Sequence, residues 1–227
     1  MDILGIIPAR GGSKGIYMKN LVKLNKKPLL EYSINSSLNS KFITKTIVST
    51  DNKKIASYSK KLKAEIILRP KKLASDNSKI ESTIDHSLNY LQKNYNYVPD
   101  LIVLLQNTSP FRTSKHIDDA ITFYLKNNFD SLLSAYASHK FLWKIQDKTY
   151  SSINYNPQKR PNRQDINNQF IENGAIYITK YNLFKKIKCR ISGKIGIFKM
   201  LEEDSLDIDT PFDLLHAQLI LKLRNKK

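Results

Sequence analysis

The chain alternates short apolar runs with stretches in which apolar residues recur every three or four positions. The apolar runs of strand length are residues 3–8, 46–50, 65–68, 101–105, 131–136, 174–178 and 194–200. A run that is apolar on both faces is typical of a strand covered by helices on both sides. Helical patterns lie between the runs, including one that we expect Asp51 to cap and one over residues 79–95. The alternation predicts an α/β fold with a doubly wound, mostly parallel sheet and a ligand at the carboxyl ends of its strands.

Length and composition indicate one domain, residues 1–227, with a full hydrophobic core. The 41% of apolar residues argue against disorder, and no stretch approaches the roughly 20 apolar residues of a membrane span. The sequence begins with Met-Asp and enters an apolar strand directly, without the basic segment of a secretory signal. Because Cys189 is the single cysteine, no internal disulfide can form. We therefore expect a cytoplasmic, reducing location.

The formal net charge of +18 is high enough for a nucleic-acid-binding protein. The lysines are scattered along the whole chain, however, whereas a nucleic-acid interface concentrates its charge. Only seven of the 38 basic residues are arginines. Four of these, Arg10, Arg69, Arg112 and Arg163, fall in segments that are singled out below. The planar fork of arginine binds phosphate and carboxylate at two points, so this distribution favours a small anionic ligand.

A glycine-rich loop follows the first predicted strand. It comprises Arg10, Gly11, Gly12, Ser13, Lys14 and Gly15, and Lys19 and Asn20 come soon after. The spacing fits neither a Walker A loop nor the G-x-G-x-x-G fingerprint. Glycines still allow close backbone approach, hydroxyl and amide groups can donate to phosphate oxygens, and the basic side chains can neutralise them. The loop therefore predicts a phosphate site, and the alternative is a glycine-rich turn with incidental basic residues.

Two aspartates, Asp207 and Asp209, are spaced by two positions just before the last helical pattern. In an extended segment, side chains at this spacing point to the same side. A carboxylate pair of this kind can hold a divalent metal, with magnesium as the natural choice, against phosphate groups. The alternative is that one aspartate caps the final helix while the other is a polar surface residue.

The strand–helix alternation stops at about residue 139 and resumes near residue 174. Residues 141–144 form an apolar patch, and residues 151–169 are rich in Asn, Gln, Pro and Arg without a clear period. We interpret residues 139–172 as an excursion from the core sheet. It is either a lid or a dimerisation arm.

Six motifs, taken in order, make the chain similar to a known family, the cytidylyltransferases that activate nonulosonic acids, typified by CMP-N-acetylneuraminate (sialic acid) synthetase. The matching segments are IIPARGGSKGI followed by KN, VSTD ending at Asp51, LRP with LASD over residues 68–76, LLQNTSPFRT over 104–113, RQ, F and NGAIYI over 163–178, and SLDIDT over 205–210. They cover the whole chain. The first motif alone is shared with related sugar nucleotidyltransferases.

The resemblance implies a Rossmann-like nucleotidyltransferase fold and assigns roles to individual residues. The residues that it places around the nucleotide are Arg10, Gly11, Ser13, Lys14, Asn20 and Arg69. Those that it places around the sugar are Gln106, Thr108, Ser109, Arg163, Phe170, Asn173 and Tyr177, with Lys144 supplied across a homodimer interface. Asp207 and Asp209 match the magnesium-binding aspartates of the family. Catalysis is then expected from this pair together with Arg10 and Lys14.

The implied reaction joins CTP and a nonulosonic acid, with N-acetylneuraminate as the leading candidate, in a step toward cell-surface glycans. Two departures affect the detailed contacts. Asn107 stands where the family usually has proline, and Ile80 falls in a stretch that is often serine-rich. Legionaminic acid, pseudaminic acid or a ketodeoxyoctonate, with CTP or GTP, remain alternatives. An alternative from another class is a basic nucleic-acid-binding module, which predicts affinity for generic DNA or RNA that falls steeply with salt.

Overall fold

A computed structural model describes residues 1–224. The strands are β1 (Ile3–Pro8), β2 (Lys23–Leu24), β3 (Lys27–Pro28), β4 (Lys45–Thr50), β5 (Glu65–Leu68), β6 (Leu101–Leu104), β7 (Ser131–Ala137), β8 (Trp143–Gln146), β9 (Thr149–Ser152), β10 (Phe170–Lys180) and β11 (Ile195–Lys199). The helices are α1 (Leu29–Leu38), α2 (Lys53–Lys61), α3 (Ile80–Tyr95), α4 (Ser114–Lys126), α5 (Tyr181–Ile187) and α6 (Pro211–Arg224). The predicted alternation is confirmed. Residues 225–227, the end of the predicted domain, lie outside the described residues.

Seven strands form one sheet in the order β11-β7-β10-β6-β1-β4-β5. The central strand β1 pairs in parallel with β4 and β6, and β4 with β5 and β7 with β11 are parallel as well. Strand β10 is antiparallel to both β6 and β7. The chain leaves the carboxyl end of β7, forms the excursion, and enters the neighbouring strand β10 at the same end of the sheet, so β10 runs in the opposite direction. The prediction of a doubly wound, mostly parallel sheet is confirmed.

The two faces of β1 explain why its sequence is apolar throughout. Ile3 and Ile7 pack in one core cluster with α1, α2 and α4, whereas Leu4 and Ile6 pack in a second cluster with α3 and α5. All four side chains are at most 1% exposed. Helix α6 packs in a third cluster, which contains Ile208. Both faces of the sheet are therefore covered, and the carboxyl ends of the central strands open into one group of loops.

The predicted cap of helix α2 is wrong by one residue. The side chain of Asn52, not of Asp51, accepts hydrogen bonds from the amides of Lys54 at 2.8 Å and Ile55 at 3.2 Å. The Asp51 carboxylate instead accepts a hydrogen bond from the Gly11 amide at 2.9 Å. Asp51 therefore ties the opening loop to the end of β4.

The excursion after β7 forms the hairpin of β8 and β9, which within residues 1–224 pair only with each other, followed by two short 3-10 turns. Phe141 lies against Tyr155 with ring centroids 4.5 Å apart, and Arg160 lies over the Phe141 ring. Trp143 and Ile145 are exposed on the hairpin. The last residues of the predicted excursion, from Phe170 on, belong to β10. Its role as lid or dimerisation arm stays a prediction.

Residues 1–224 contain no helix with the length and apolarity that crossing a membrane requires.

Candidate active site

A cavity of about 580 Å³ lies at the carboxyl ends of β1 and β6. Four segments form its walls: the loop after β1, the residues between β5 and α3, the residues after β6, and the segment before α6. Nine of the predicted site residues line it: Arg10, Ser13, Lys14, Asn20, Arg69, Gln106, Thr108, Asp207 and Asp209. The fold thus brings the predicted phosphate loop and the aspartate pair into one site.

Specific contacts hold the opening loop in place. The buried side chain of Asn20 donates to the Arg10 carbonyl oxygen at 2.8 Å. A Cβ on Gly11 would lie 2.7 Å from Nδ2 of Asn52, and one on Gly15 would overlap the backbone carbonyl oxygen of Asp209. Close packing against backbone therefore requires Gly15, whereas a side chain at Gly11 would have to displace the side chain of Asn52, which caps α2. The loop is more than a turn with incidental glycines, because its backbone rests directly on the aspartate segment.

Two basic side chains of this loop share one acidic partner. Asp76, between β5 and α3, accepts ion pairs from Arg10 at 2.7 Å and from Lys14 at 3.0 Å. Hydrogen bonds from Lys14 and then from Arg10 lower the pKa of the Asp76 carboxyl. Its carboxylate oxygens thus stand where oxygens of an anionic ligand would bind.

Arg69 lies in the same wall and is buried. Its Nη1 donates to the Thr83 hydroxyl at 2.8 Å. Burial lowers the pKa of the guanidinium, whereas the charge of Asp51 raises it. Arg69 therefore presents a charge with few water contacts, which strengthens its attraction for an anion in the cavity.

The aspartate pair lies in an irregular segment between a short 3-10 turn at Glu202–Asp204 and α6. Ile208 is fully buried between the two, and its amide donates to the Thr108 carbonyl oxygen at 2.9 Å. Asp207 and Asp209 both line the cavity. Neither caps α6, because Thr210 does so: its hydroxyl accepts from the amide of Asp213 at 3.2 Å.

The two carboxylates differ in their surroundings. Burial raises the pKa of Asp207, a hydrogen bond from Thr108 opposes that effect, and the charge of Asp209 adds to it. Both residues keep solvent-exposed surface, and Asp209 accepts an ion pair from Lys19 at 2.7 Å. Within residues 1–224 no group of three or more His, Cys, Asp or Glu side chains is placed to hold a metal. A cation at this pair would need further oxygens from a ligand.

After β6, residues with adjacent numbers have different environments. Gln106 and Thr108 face the cavity. Asn107 is buried, lines the same cavity, and donates through Nδ2 to the Pro8 carbonyl oxygen at 2.9 Å. A proline at this position could not make that bond, so the departure from the family pattern has a structural role. Ser109 is fully buried.

Three predicted sugar residues are mainly part of the interior. The Ser109 hydroxyl donates to the Asn173 carbonyl oxygen at 3.3 Å, and the Asn173 side chain donates to the Ser205 hydroxyl at 2.8 Å. Tyr177 is 4% exposed, and its hydroxyl donates to Glu172. Asn173 also lines a neighbouring cavity of about 630 Å³, which shares Asp207 with the first.

Four other predicted site residues do not line the first cavity: Gly11, Lys144, Arg163 and Phe170. Gly11 lies in the opening loop, bound to Asp51. Lys144 and Arg163 are exposed in the excursion, and Phe170 is half-buried beneath Lys199. The sugar roles of Lys144, Arg163 and Phe170 stay predictions.

The predictions from sequence omitted Asp76 and Thr83 as site residues. Asp76 ends the LASD motif, so its segment was identified, but its pairing with the opening loop follows only from the fold. Thr83 lies three residues after Ile80, about one helical turn further into α3, and both line the cavity. No motif marks Thr83, because its proximity depends on how the helix enters the site.

Comparison with known proteins agrees with this geometry. The family described as Cytidylyltransferase matches residues 4–225. The chain is 33% identical over 93% of its length to N-acylneuraminate cytidylyltransferase A of Danio rerio, covering 49% of that protein. It is 33% identical over 99% of its length to the N-acylneuraminate cytidylyltransferase of Escherichia coli, covering 53% of that protein. The chain thus spans about half the length of these curated relatives.

Solved structures support the same fold. CMP:2-keto-3-deoxy-manno-octonic acid synthetase complexed with CTP superposes with a TM-score of 0.73 at 13% identity, covering 99% of this chain and 100% of that one. A 4-diphosphocytidyl-2C-methyl-D-erythritol synthase gives 0.72 at 12% identity, with 97% and 98% covered. At these identities the similarity to solved structures shows the fold alone. The match to the family described as Cytidylyltransferase rests on sequence and spans residues 4–225. The chain belongs to the cytidylyltransferase family.

Proposed function

We propose that this protein joins CTP and a nonulosonic acid, N-acetylneuraminate first among the candidates, to give the CMP-sugar and pyrophosphate. One observation carries the proposal: a single cavity combines a cationic glycine-rich loop, an aspartate pair and uncharged donors after β6. The cationic loop suits a triphosphate, and the aspartate pair suits a divalent cation. The uncharged donors after β6 suit a polyhydroxylated sugar. The names of the relatives in zebrafish and Escherichia coli support the choice of sugar acid.

The opening loop is assigned to the nucleotide. Arg10, Lys14 and the loop amides bind the phosphates, and Arg69 adds a third positive charge from the facing wall. Asn20 holds the loop by its bond to the Arg10 carbonyl. Transfer of a phosphoryl-type group depends mainly on positioning and on stabilising negative charge, and these side chains supply both.

A magnesium ion fits the aspartate pair. Mg²⁺ is commonly bound by one or two carboxylates together with substrate phosphates and water, which matches the donors of Asp207 and Asp209 beside the phosphate loop. Desolvation and, to a smaller extent, the charge of Asp209 raise the pKa of Asp207, so a positive charge placed beside this carboxylate is favourable. When bound, the ion supplies charge neutralisation for the phosphates.

In the proposed reaction, the anomeric 2-hydroxyl oxygen of the sugar acid attacks the α-phosphorus of CTP. The bond between that phosphorus and the oxygen of the departing pyrophosphate breaks. Asp207 is the candidate to accept the hydroxyl proton, because partial desolvation and the neighbouring charge of Asp209 raise its pKa. Gln106 and Thr108, which also line the cavity, orient the sugar.

The excursion is assigned to a homodimer in which it reaches the partner's site. Trp143, Ile145 and Tyr150 expose apolar surface on its hairpin, as a protein interface would. Lys144, on the same hairpin, would then supply a positive charge to the sugar carboxylate bound by the partner. We assign the enzyme to the cytoplasm and its product to cell-surface glycan synthesis.

Pyrophosphate release tests the proposal. The protein is incubated with magnesium, CTP or GTP, and N-acetylneuraminate, legionaminic acid, pseudaminic acid or ketodeoxyoctonate in every combination. Release with CTP and N-acetylneuraminate is the expected result. Release with another pair would replace the substrate and keep the reaction. No release, together with salt-sensitive binding of generic DNA, would favour the nucleic-acid alternative.

We expect Asp76→Asn to bind CTP several-fold more tightly than the natural chain. The carboxylate competes with the phosphates for Arg10 and Lys14, and the amide removes that charge. Calorimetric titration of CTP without a sugar acid measures the change. Asp119→Asn, which alters an exposed pair on α4, is the matched control. Weaker CTP binding in Asp76→Asn would show that the carboxylate instead aligns the two cations.

We expect Asp207→Asn to lose activity while raising the midpoint of thermal unfolding at pH 7 only slightly, without magnesium, because water reaches this carboxylate and screens its charge. The folded pKa of Asp207 is raised, so the folded state holds its proton more tightly than the unfolded chain does. This stabilising contribution is present below the unfolded pKa and is lost as pH rises through the folded one. The difference in unfolding midpoint between Asp207→Asn and the natural chain should therefore shrink as the pH is lowered toward the acid range. A lower midpoint at pH 7 would contradict this account.

A further inference from the structure

The residues after β6 contact a buried arginine to which the proposed reaction assigns no role. Arg112 is 2% exposed, and within residues 1–224 it forms no ion pair with a carboxylate. Burial lowers the pKa of its guanidinium to about 9, so the group is still charged at neutral pH. A buried cation without a counter-ion is costly, and an apolar side chain could fill the same space. The role of Arg112 must therefore lie in the hydrogen bonds that its guanidinium donates.

The guanidinium joins three elements behind the cavity. Its Nη1 donates to the carbonyl oxygens of Gln106 and Ala175, each at 3.0 Å. Its Nη2 donates to the hydroxyls of Ser33 at 2.6 Å and Ser36 at 3.4 Å on α1. The Ser33 hydroxyl in turn donates to the Gln106 carbonyl oxygen at 3.3 Å. The backbone that carries the Gln106 side chain is thus fixed by two donors.

The Gln106 side chain meets β10 on its other side. Gly174 has φ +71°, where β10 shifts its register on β7. A Cβ at this position would lie 2.5 Å from Oε1 of Gln106, so the bare Cα leaves room for the amide. The next residue, Ala175, is the one whose carbonyl accepts from Arg112. One guanidinium therefore holds both Gln106 and the bulge against which its amide rests.

We propose that Arg112 is a positioning residue that fixes Gln106 against the β10 bulge, so that the Gln106 amide is presented to the sugar acid in the cavity. The identity of that ligand rests on the proposed function. Arg112 itself does not line the cavity. The cations of the opening loop are held by contacts of their own, including the pair of Asp76 with Arg10. Replacing Arg112 should therefore weaken the use of the sugar acid and leave the binding of the nucleotide unchanged.

Arg112→Lys tests this, because one ammonium group cannot reach four acceptors on three elements. We expect kcat/KM for the sugar acid to fall at least tenfold while the Kd of CTP, titrated without sugar, changes less than twofold. Gly174→Ala displaces the same amide from the opposite side and should give the same split. Tyr124→Phe is the control. It removes the hydrogen bond that the hydroxyl of buried Tyr124, on α4, donates to the Asp130 carbonyl oxygen at 3.3 Å, and it should change neither kcat/KM nor the Kd of CTP.

Amide hydrogen exchange provides a second readout that does not need turnover. Exchange in residues 104–109 should rise in Arg112→Lys and stay unchanged in Tyr124→Phe. Equal losses on the sugar and CTP sides, or unchanged exchange in residues 104–109, would overturn the proposal. If Arg112→Lys does not fold, Gly174→Ala decides by the same criteria. A natural chain that is inactive with every sugar acid would count against the proposed function, and the exchange result would still decide the role of Arg112.

Discussion

Asp209→Asn is expected to lower kcat for pyrophosphate release by at least about 100-fold at saturating CTP and sugar acid. The substitution removes one of the two carboxylates proposed to hold magnesium against the phosphates, and a preorganised charge of this kind is commonly worth several kcal/mol in the transition state. It also removes the acceptor of Lys19, which pairs with Asp209 at 2.7 Å. CTP binding without magnesium should therefore persist or strengthen.

A magnesium titration of the same variant separates these effects. Half-maximal activity should require much more magnesium than in the natural chain, and chelation should abolish what remains. Asp119→Asn again serves as the matched control, since its only ion pair is with Lys115 on α4 within the described residues. Full turnover of Asp209→Asn would remove the metal assignment.

Gly15→Ala is expected to reduce kcat/KM by about 100-fold, because misplacing reacting groups by about 1 Å has effects of that size. The new methyl group would overlap the Asp209 carbonyl oxygen, a backbone atom that cannot rotate away. The opening loop and the aspartate segment would have to separate. Overpacking of this kind also costs roughly 1–3 kcal/mol of folding free energy.

Gly12→Ala is the internal comparison for this prediction. Within the described residues, a Cβ on Gly12 would meet nothing within 4 Å, and the φ of Gly12 is not positive. The unfolding midpoint of Gly12→Ala should therefore be equal to or slightly above that of the natural chain, whereas that of Gly15→Ala should be lower. Equal midpoints and equal activities in the two variants would show that the close approach at Gly15 does not matter.

The sequence could predict features that depend on local pattern. The apolar run of β1 correctly indicated a strand covered on both faces, because each face of a buried strand needs apolar partners. The spacing of Asp207 and Asp209 correctly placed both on one side, with Ile208 in the core between them. Both inferences depend only on residues that are close together in the sequence and need no knowledge of the tertiary fold.

Features that depend on the route of the chain could not be predicted in this way. The reversed direction of β10 follows from where the excursion returns, which no residue of NGAIYI encodes. The pairing of Asp76 with Arg10 joins residues 66 positions apart and needs the fold to bring them together. Arg112 belongs to a motif near the site, but its burial directs its hydrogen bonds to backbone carbonyls and serine hydroxyls.

The antiparallel pairing of β7 and β10 also has a consequence for how this chain can vary. Ala137 and Phe170, the residues at which the excursion leaves and rejoins the sheet, are direct partners across the ladder. Partners in such a ladder lie about 5 Å apart, a gap that a two-residue turn can close. The whole insertion could thus be exchanged, shortened or transplanted as a cassette, while the nucleotide-side framework that it leaves behind keeps its shape.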